Sequence, residues 1–536
     1  MKRISRISAS VLSVFMLLNL IACNTASGNP TTTTSDKGKD ETGSQTTAPA
    51  ETEEHGLDMD NKPTLKILGM YQAYNYEEQH AYSLLSEITG YETDWYMLPA
   101  ENADQKLLLD ISNGEDYDLL IRMSQSGYSQ LSKQNALIDL NDLLDKHGDA
   151  IKTAVSDLAW DSVTNADGTI NAIPHEDMVA SKEDRYGMLT GGIGLRSDLL
   201  EEIDLDVPTN LEDFTALLRT TKEKLGITPF AASAGIIFNA SLMAAFDMGA
   251  SEWYDVDGTY THRIKMPKIA EYLEYMQMLY HTGLMDADMP INTGDNVMEK
   301  IANADAIAAP LMFWDIPAMV SALEVNNPDA SIQFATEFSI DADTQPVKYI
   351  QQGAKNYTLI TKNTKNQEYA MHFLNLITIP ENFERIYVGE EGVSFSLEDG
   401  KYFPIFEGDD SVNFNAYTNS DKMTGPPDPA LAFKMWQARA RKTPEMAAAY
   451  EQMNARVDEY DVRYNIEAYG KSSPKVQEYN TALATAFSDA FLKAIVENTD
   501  AETAIAEMQA AWDAEGGLEM EAAMQEFYDA NKQFSN

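Results

Sequence analysis

The chain has a single cysteine in 536 residues, which excludes an intramolecular disulfide and any cysteine-rich metal site. Its seven histidines are scattered, and His175-Glu176 lacks the second histidine that a helical zinc site needs. No G-x-S-x-G elbow or P-loop occurs, and the GGIG run at Gly191 to Gly194 is too short for a nucleotide fingerprint. Positive charge is scarce: 39 Lys and Arg stand against 85 Asp and Glu, giving a formal charge of −46. Such a surface repels phosphate backbones, so nucleic acid is excluded as a partner. Beyond the first 22 residues no apolar run is long enough to cross a bilayer.

Those 22 residues carry Lys2, Arg3 and Arg6, no acid, and an apolar run from Val11 to Leu18 that continues through Leu20 and Ile21. This is the pattern of an export signal, and its removal takes the charge from −46 to −49. Leu20-Ile21-Ala22-Cys23 resembles the bacterial lipobox, which implies that Cys23 is diacylated and becomes the mature N-terminus. Two acyl chains anchor stably where one is marginal, so the expected location is the extracytoplasmic face of the cell membrane. The stretch from Cys23 to residue 62 is Thr, Ser, Gly, Asp, Glu and Pro with few large apolar side chains, and is expected to be a disordered tether. As a coil it reaches about 35 Å.

From Pro63 strands and helices alternate. Leu65 and Ile67 mark a strand over 64–70, and Ala81, Leu84, Leu85 and Ile88 mark a helix over 77–89 stopped by Gly90. Strands at 93–98 and 118–121 with a helix at 104–112 between them continue the series, which argues for βαβ crossovers and a largely parallel sheet. Further on, Asp257-Gly258 signals a hairpin, 267–281 reads as a helix, and Ala306 to Trp314 as an apolar strand ending in two aromatics. Residues 347–363 read as one strand followed by a helix, and the chain is predominantly helical from about Pro427.

The stretch 167–226 is the most informative. Pro208 leads to Thr209, with Glu212 three residues on and Leu211, Phe214, Leu217 and Leu218 at helical spacing, which predicts a capping box on Thr209 and a stop at Gly226. Asp167, Gly168, Ile173, Pro174, Arg196, Asp198, Leu199, Leu200, Pro208, Thr209, Glu212 and Phe214 together resemble the signature of extracellular solute-binding proteins of bacterial ABC transporters, family 1, of the oligosaccharide-binding type. KLLLDISNGEDYDLL and LIDLNDLLDKHG are similar to further segments of that family. The resemblance implies an α/β, two-lobed, periplasmic-binding-protein-like fold of class II, with discontinuous lobes joined by a hinge. Lobe 1 is expected from 63–178 and 351–425, and lobe 2 from 179–350 and 426–536, with crossings near 176 to 182, near 350 and near 425. It also implies a monomeric receptor that hands a small ligand to a membrane permease.

Sugars present C–H faces that pack on flat rings, and hydroxyls that suit amides, carboxylates and arginines. The candidate ligand-binding residues are therefore Tyr71, Tyr74 and Tyr76 after the first strand, Trp253, Phe313 and Trp314 on loops, and Arg185 and Tyr186 past the first crossing. Trp436 and Trp512 lie in helical runs and read as core. Carboxylate pairs such as Glu390-Glu391 and Asp409-Asp410 are no evidence for a glycosidase dyad, which needs opposed carboxylates at set separation. No cofactor is expected; Asp255 to Gly258 and Asp341 to Asp343 read as turns, with structural calcium left open because neither completes a twelve-position loop. Carbohydrate capture without catalysis is the main reading. A binding protein for peptides or small cationic ligands and a secreted carbohydrate-active enzyme are the alternatives.

Overall fold

The computed structural model describes residues 56–535 except 73, 166, 180–184, 419 and 472; the export signal, Cys23 and the tether up to residue 55 lie outside the described residues. The ordered body starts before Pro63. Asp58 caps a short 3₁₀ turn at Met59–Asn61 and its own N–H donates to Tyr369 Oη at 3.3 Å.

The chain lays down β1 (Leu65–Gly69), β2 (Thr93–Met97), β3 (Leu119–Ser124) and β4 (Ile173–Glu176), and a later strand completes a five-stranded sheet with them. β1 pairs parallel with β2 and β3. Leu119, Leu120 and Ile121 are all buried, because a central parallel strand is covered on both faces by its crossover helices. The helix His80–Thr89 ends at Gly90 with φ 65°, as its glycine stop predicts.

The chain then builds β5 (Gly191–Arg196), β6 (Thr228–Phe230), the hairpin of β7 (Trp253–Val256) and β8 (Thr259–His262), β9 (Ala306–Met312) and β10 (Ile332–Ala335). Strands 10, 5, 9 and 6 form, in that order, a second sheet. The hairpin turns at Asp257 (φ 52°) and Gly258 (φ 87°), the two left-handed residues that an Asp-Gly two-residue turn requires. Asp255 closes it, with Oδ1 accepting from Gly258 N and Oδ2 from Tyr528 Oη. The capping expectation shifts by one residue. Asn210, not Thr209, caps the helix Leu211–Lys224, its Oδ1 accepting from Asp213 N at 2.9 Å while its amide donates to the Asp213 carboxylate at 2.8 Å. Asn is as good a cap as Thr, and this phase also buries Asn210.

The stretch expected as one strand is two, in different sheets. β11 (Val347–Gln351) pairs parallel with a late strand, Asp461–Asn465, while β12 (Ala354–Leu359) lies antiparallel between β3 and β4. Between them Gly353 passes so close to Ala468 that a Cβ would sit 2.3 Å from the alanine methyl, so a side chain has no room. Gly353 O accepts from Asp177 N at 2.6 Å, and Gln352 N donates to Asn465 O at 2.7 Å. The chain passes between the two sheets after β4 and again before β12, and these two crossings therefore run side by side. The helix Pro429–Ala440 packs Ala432, Met435 and Ala438 with Phe383, Tyr387 and the hairpin of β13 (Phe395–Glu398) and β14 (Lys401–Pro404). The next helix, Pro444–Asn454, carries Met446, Tyr450 and Met453 into the core beside the second sheet. Three helices close the chain, at Pro474–Glu497, Ala501–Ala514 and Gly517–Asn531. Among the described residues no helix is long and apolar enough to cross a membrane.

Candidate functional site

In an open α/β sheet, ligands collect at the carboxyl ends of the strands. β1, β3 and β4 all end at one edge of the first sheet, the last two because both run antiparallel to β12. Of the three tyrosines after β1, Tyr71 is open, Tyr74 is half-buried, and Tyr76 is core: its Oη donates to Met70 O at 2.7 Å and its ring lies 4.6 Å from that of Trp95. The end of β3 supplies two residues that a search for aromatics passes over. Arg122 has a left-handed φ of 60°, and its Nη2 donates to Thr424 Oγ1 at 3.2 Å while Nε is buried without a partner. Gln125 starts the next helix with its Nε2 buried and unpartnered. His175 on β4 is buried, with Nε2 2.7 Å from Thr358 Oγ1; burial, with the charge of Arg122, holds its pKa well below the ordinary value, so it is neutral.

The second sheet answers with β6 and β9 ending at its own edge and β5 starting there, Gly191 opposite Met312. Phe313 is buried against Trp436 and Tyr450, each ring 5.7 Å away, whereas Trp314 is 52% exposed. Trp253 is not on a loop at all. It lies on β7 with no exposed surface, against Tyr260 and His262, because the hairpin turns it inward. Tyr186 braces a neighbouring helix: Arg441 Nη2 donates to its Oη at 3.3 Å and Lys401 sits 3.7 Å over its ring. Burial and the Glu451 carboxylate push its hydroxyl up to about 12. Arg185 is partly exposed.

A cavity of about 370 Å³ opens where the crossings meet. Asp177 and Met178 reach it from β4, Met188 and Thr190 from the approach to β5, and Tyr349 and Gln351 from β11. Phe433 and Trp436 form the aromatic wall, so the tryptophan read as core lines the cavity. Lys348 also lines it, already paired with Glu337 at 2.6 Å. A second, polar groove of about 680 Å³ runs between Gln125, Ser126 and Gln130 on one side and Gln477, Asn480 and Thr481 on the other. Aromatic faces in one and amides and hydroxyls in the other are what a polyhydroxylated ligand uses. Among the described residues no group of three or more His, Cys, Asp or Glu is placed to hold a metal.

The model of the bacterial extracellular solute-binding protein family matches residues 96–392, more than half of the chain. An uncharacterised Niallia circulans protein from the butB 5′ region is 29% identical over 269 residues, which span 48% of this chain and 98% of that one. Among solved structures, the fold is similar to the Streptococcus pneumoniae substrate-binding protein FusA, an EF-hand mutant in complex with fructo-nystose (TM-score 0.62, 16% identity, 88% of this chain and 100% of that one). It is similar to an HMO-binding, ABC-transporter-associated solute-binding protein from Bifidobacterium longum infantis (TM-score 0.61, 15% identity, 89% and 100%). A third likeness is the N-glycan transport protein NgtS of S. pneumoniae (TM-score 0.55, 18% identity, 88% and 100%). The two sheets, their facing strand ends and the hinge between them thus have a family: the chain belongs to the bacterial extracellular solute-binding proteins.

Proposed function

We propose that the protein is the extracytoplasmic receptor of an ABC importer, held at the cell membrane by acylated Cys23, and that it captures a carbohydrate, most simply an oligosaccharide, between its lobes without chemically altering it. The observation that carries this reading is the cavity at the crossings, with Phe433 and Trp436 as flat faces and Thr190, Gln351 and Asp177 as hydroxyl partners. The structural neighbours, which take fructo-nystose, HMO and N-glycans, agree with it. Contacts made from both lobes exist only when the hinge closes, so a ligand shifts the equilibrium toward the closed form, which the permease then recognises.

Thermal unfolding of the chain from residue 24 against neutral and acidic oligosaccharides, monosaccharides, peptides and polyamines tests the ligand class. A ligand at a hundredfold excess over its Kd adds about 2.7 kcal/mol to the folded state. A shift with oligosaccharides that are recovered unchanged is the expected result. A shift with peptides or polyamines alone, or consumption of the sugar, overturns the reading. Expression of the full chain with Cys23→Ser tests the anchor: the protein should lose its acyl label and leave the membrane fraction.

A further inference from the structure

The cleft edge of the first sheet holds a patch of charge opposite in sign to the rest of the chain. Arg122, Arg439 and Lys442 surround Asp421, whose carboxylate is already paired with Lys422 at 2.6 Å. Arg439 spends its guanidinium on the backbone oxygens of Tyr387, Tyr417 and Thr418, at 3.0, 3.0 and 2.5 Å, and not on an acid. Arg122 uses Nη2 for the neutral Thr424 hydroxyl, and its Nε is buried without a partner. None of these three cations makes an ion pair with any described residue, in a chain where acids outnumber bases 85 to 39. Arg122, Lys442 and Asp421 are partly exposed, and Tyr74 stands within electrostatic reach of Asp421 and Arg439. The patch adjoins the cavity, since Met178 in its wall accepts from Tyr387 Oη at 3.6 Å and the Tyr387 ring lies under Arg439 at 4.5 Å.

We propose that this patch receives an anionic group of the ligand, and that the cargo is an acidic oligosaccharide bearing a carboxylate or sulfate ester. The inference rests on the carbohydrate reading above and specifies its class. Asp421, already held by Lys422, is one carboxylate set against Arg122, Arg439 and Lys442, so the group keeps a net positive charge that a bound anion offsets. Arg122 also occupies a left-handed backbone conformation, a strain that clusters at ligand clamps. Burial pulls Arg122 and Lys442 below their ordinary pKa values, as it does for cations short of a partner. A surface of net charge −46 repels anions at long range, so acidic ligands bind only where a local field of opposite sign is built.

Calorimetric titration of the chain from residue 24 with a uronic-acid trimer, a sulfated trimer and a neutral trimer of matched linkage, with succinate as a non-sugar acid, tests this. At least one acidic trimer should bind tenfold or more tighter than the neutral one, with the preference shrinking as salt rises; which acidic trimer wins identifies the group. Arg122→Gln and, separately, Lys442→Met should bring the acidic-over-neutral ratio down to about one, and the second variant keeps the test open if the first misfolds. Neutral trimers binding as tightly as acidic ones overturns the inference and leaves the carbohydrate reading standing. Succinate binding with no sugar bound overturns the sugar cargo and the carbohydrate reading together, while absence of all binding overturns both and the anion-accepting patch as well.

Discussion

The Glu467 carboxylate receives the backbone N–H of Trp253 at 2.7 Å, and through the same oxygen that of Glu252, also at 2.7 Å. Its other oxygen accepts the side-chain amide of Gln351 at 2.9 Å and lies 3.3 Å from the Lys471 ammonium. One buried acid thus ties the hinge strand β11, the β7–β8 hairpin and the helix Glu467–Gly470 together.

Replacing Glu467 by Ala leaves the N–H groups of Trp253 and Glu252 and the Gln351 amide short of an acceptor, while Lys471 keeps Glu252 at 2.5 Å, so the loss should be about 3–5 kcal/mol. Glu467→Gln keeps one acceptor and should cost clearly less. Urea unfolding of both variants measures the difference, and equal losses would show that the carboxylate oxygens are not what the hinge needs.

The same cluster sets an acid limit on stability. Burial works to raise Glu252, but Lys471 at 2.5 Å and Arg263 at 3.1 Å outweigh it and bring its pKa down from 4.5 to about 2. A carboxyl depressed in the folded state contributes stability that is present above its unfolded value and lost as pH falls through the folded one, so the window runs from about 4.5 down to about 2. The amount is roughly 3 kcal/mol. Glu467 acts in the opposite sense: burial, with the charge of Glu252, raises its pKa, so its contribution declines as pH rises past the ordinary carboxylate range. Thermal melts between pH 6 and pH 3 should show a steep loss in the natural chain and a flatter one in Glu252→Gln. Parallel curves would remove Glu252 from the account.

The alternation of strands and helices from Pro63 and the Asp-Gly hairpin were legible because each rests on local spacing and turn chemistry. Crossings near 176 to 182 and near 350 were expected from the family resemblance, whereas the break between β11 and β12 depends on Gly353 meeting Ala468, more than a hundred residues away. The two tryptophans exchange roles for a related reason. Trp253 sits beside a turn signal yet is enclosed by Tyr260 and His262, whereas Trp436 lies in a helix whose apolar face is shared between core and cavity. Arg122 and Gln125 follow the apolar run of β3, and the strand-end rule that picked out Tyr71 would have found them had it been applied to polar residues as well.

Arg196, which the family resemblance singled out, is a structural clamp. At 2% exposure it grips Asp198 with Nε at 3.0 Å and Nη2 at 2.6 Å, while Nη1 donates at 2.9 Å to the Ile301 and Ala302 oxygens at the end of the helix Gly294–Ala302. Lysine has no planar fork with which to reproduce four such bonds. Arg196→Lys should lower stability by about 2 kcal/mol or more and Arg196→Ala by about 3–5 kcal/mol, while the affinity measured for the folded fraction stays the same. Loss of affinity without loss of stability would instead place Arg196 in ligand capture.

The tryptophan exchange yields the sharpest separation of folding from binding. Trp253 fills the core beside β8, so Trp253→Ala opens a cavity and should cost about 3–5 kcal/mol of stability. Trp436 is only partly buried and faces the cavity, so Trp436→Ala should cost less stability but weaken the bound sugar by tenfold or more, as removal of a flat face from a ligand pocket does. Trp314, half exposed at the end of β9, gives the intermediate case: truncation should leave the melting temperature nearly unchanged, and any loss of affinity then measures how far the second lobe closes over the ligand. Differential scanning calorimetry with and without sugar reads both quantities from one sample. If Trp436→Ala melts lower yet binds as well as the natural chain, the cavity at the crossings is not the capture site, and the polar groove between Gln125 and Gln477 takes its place.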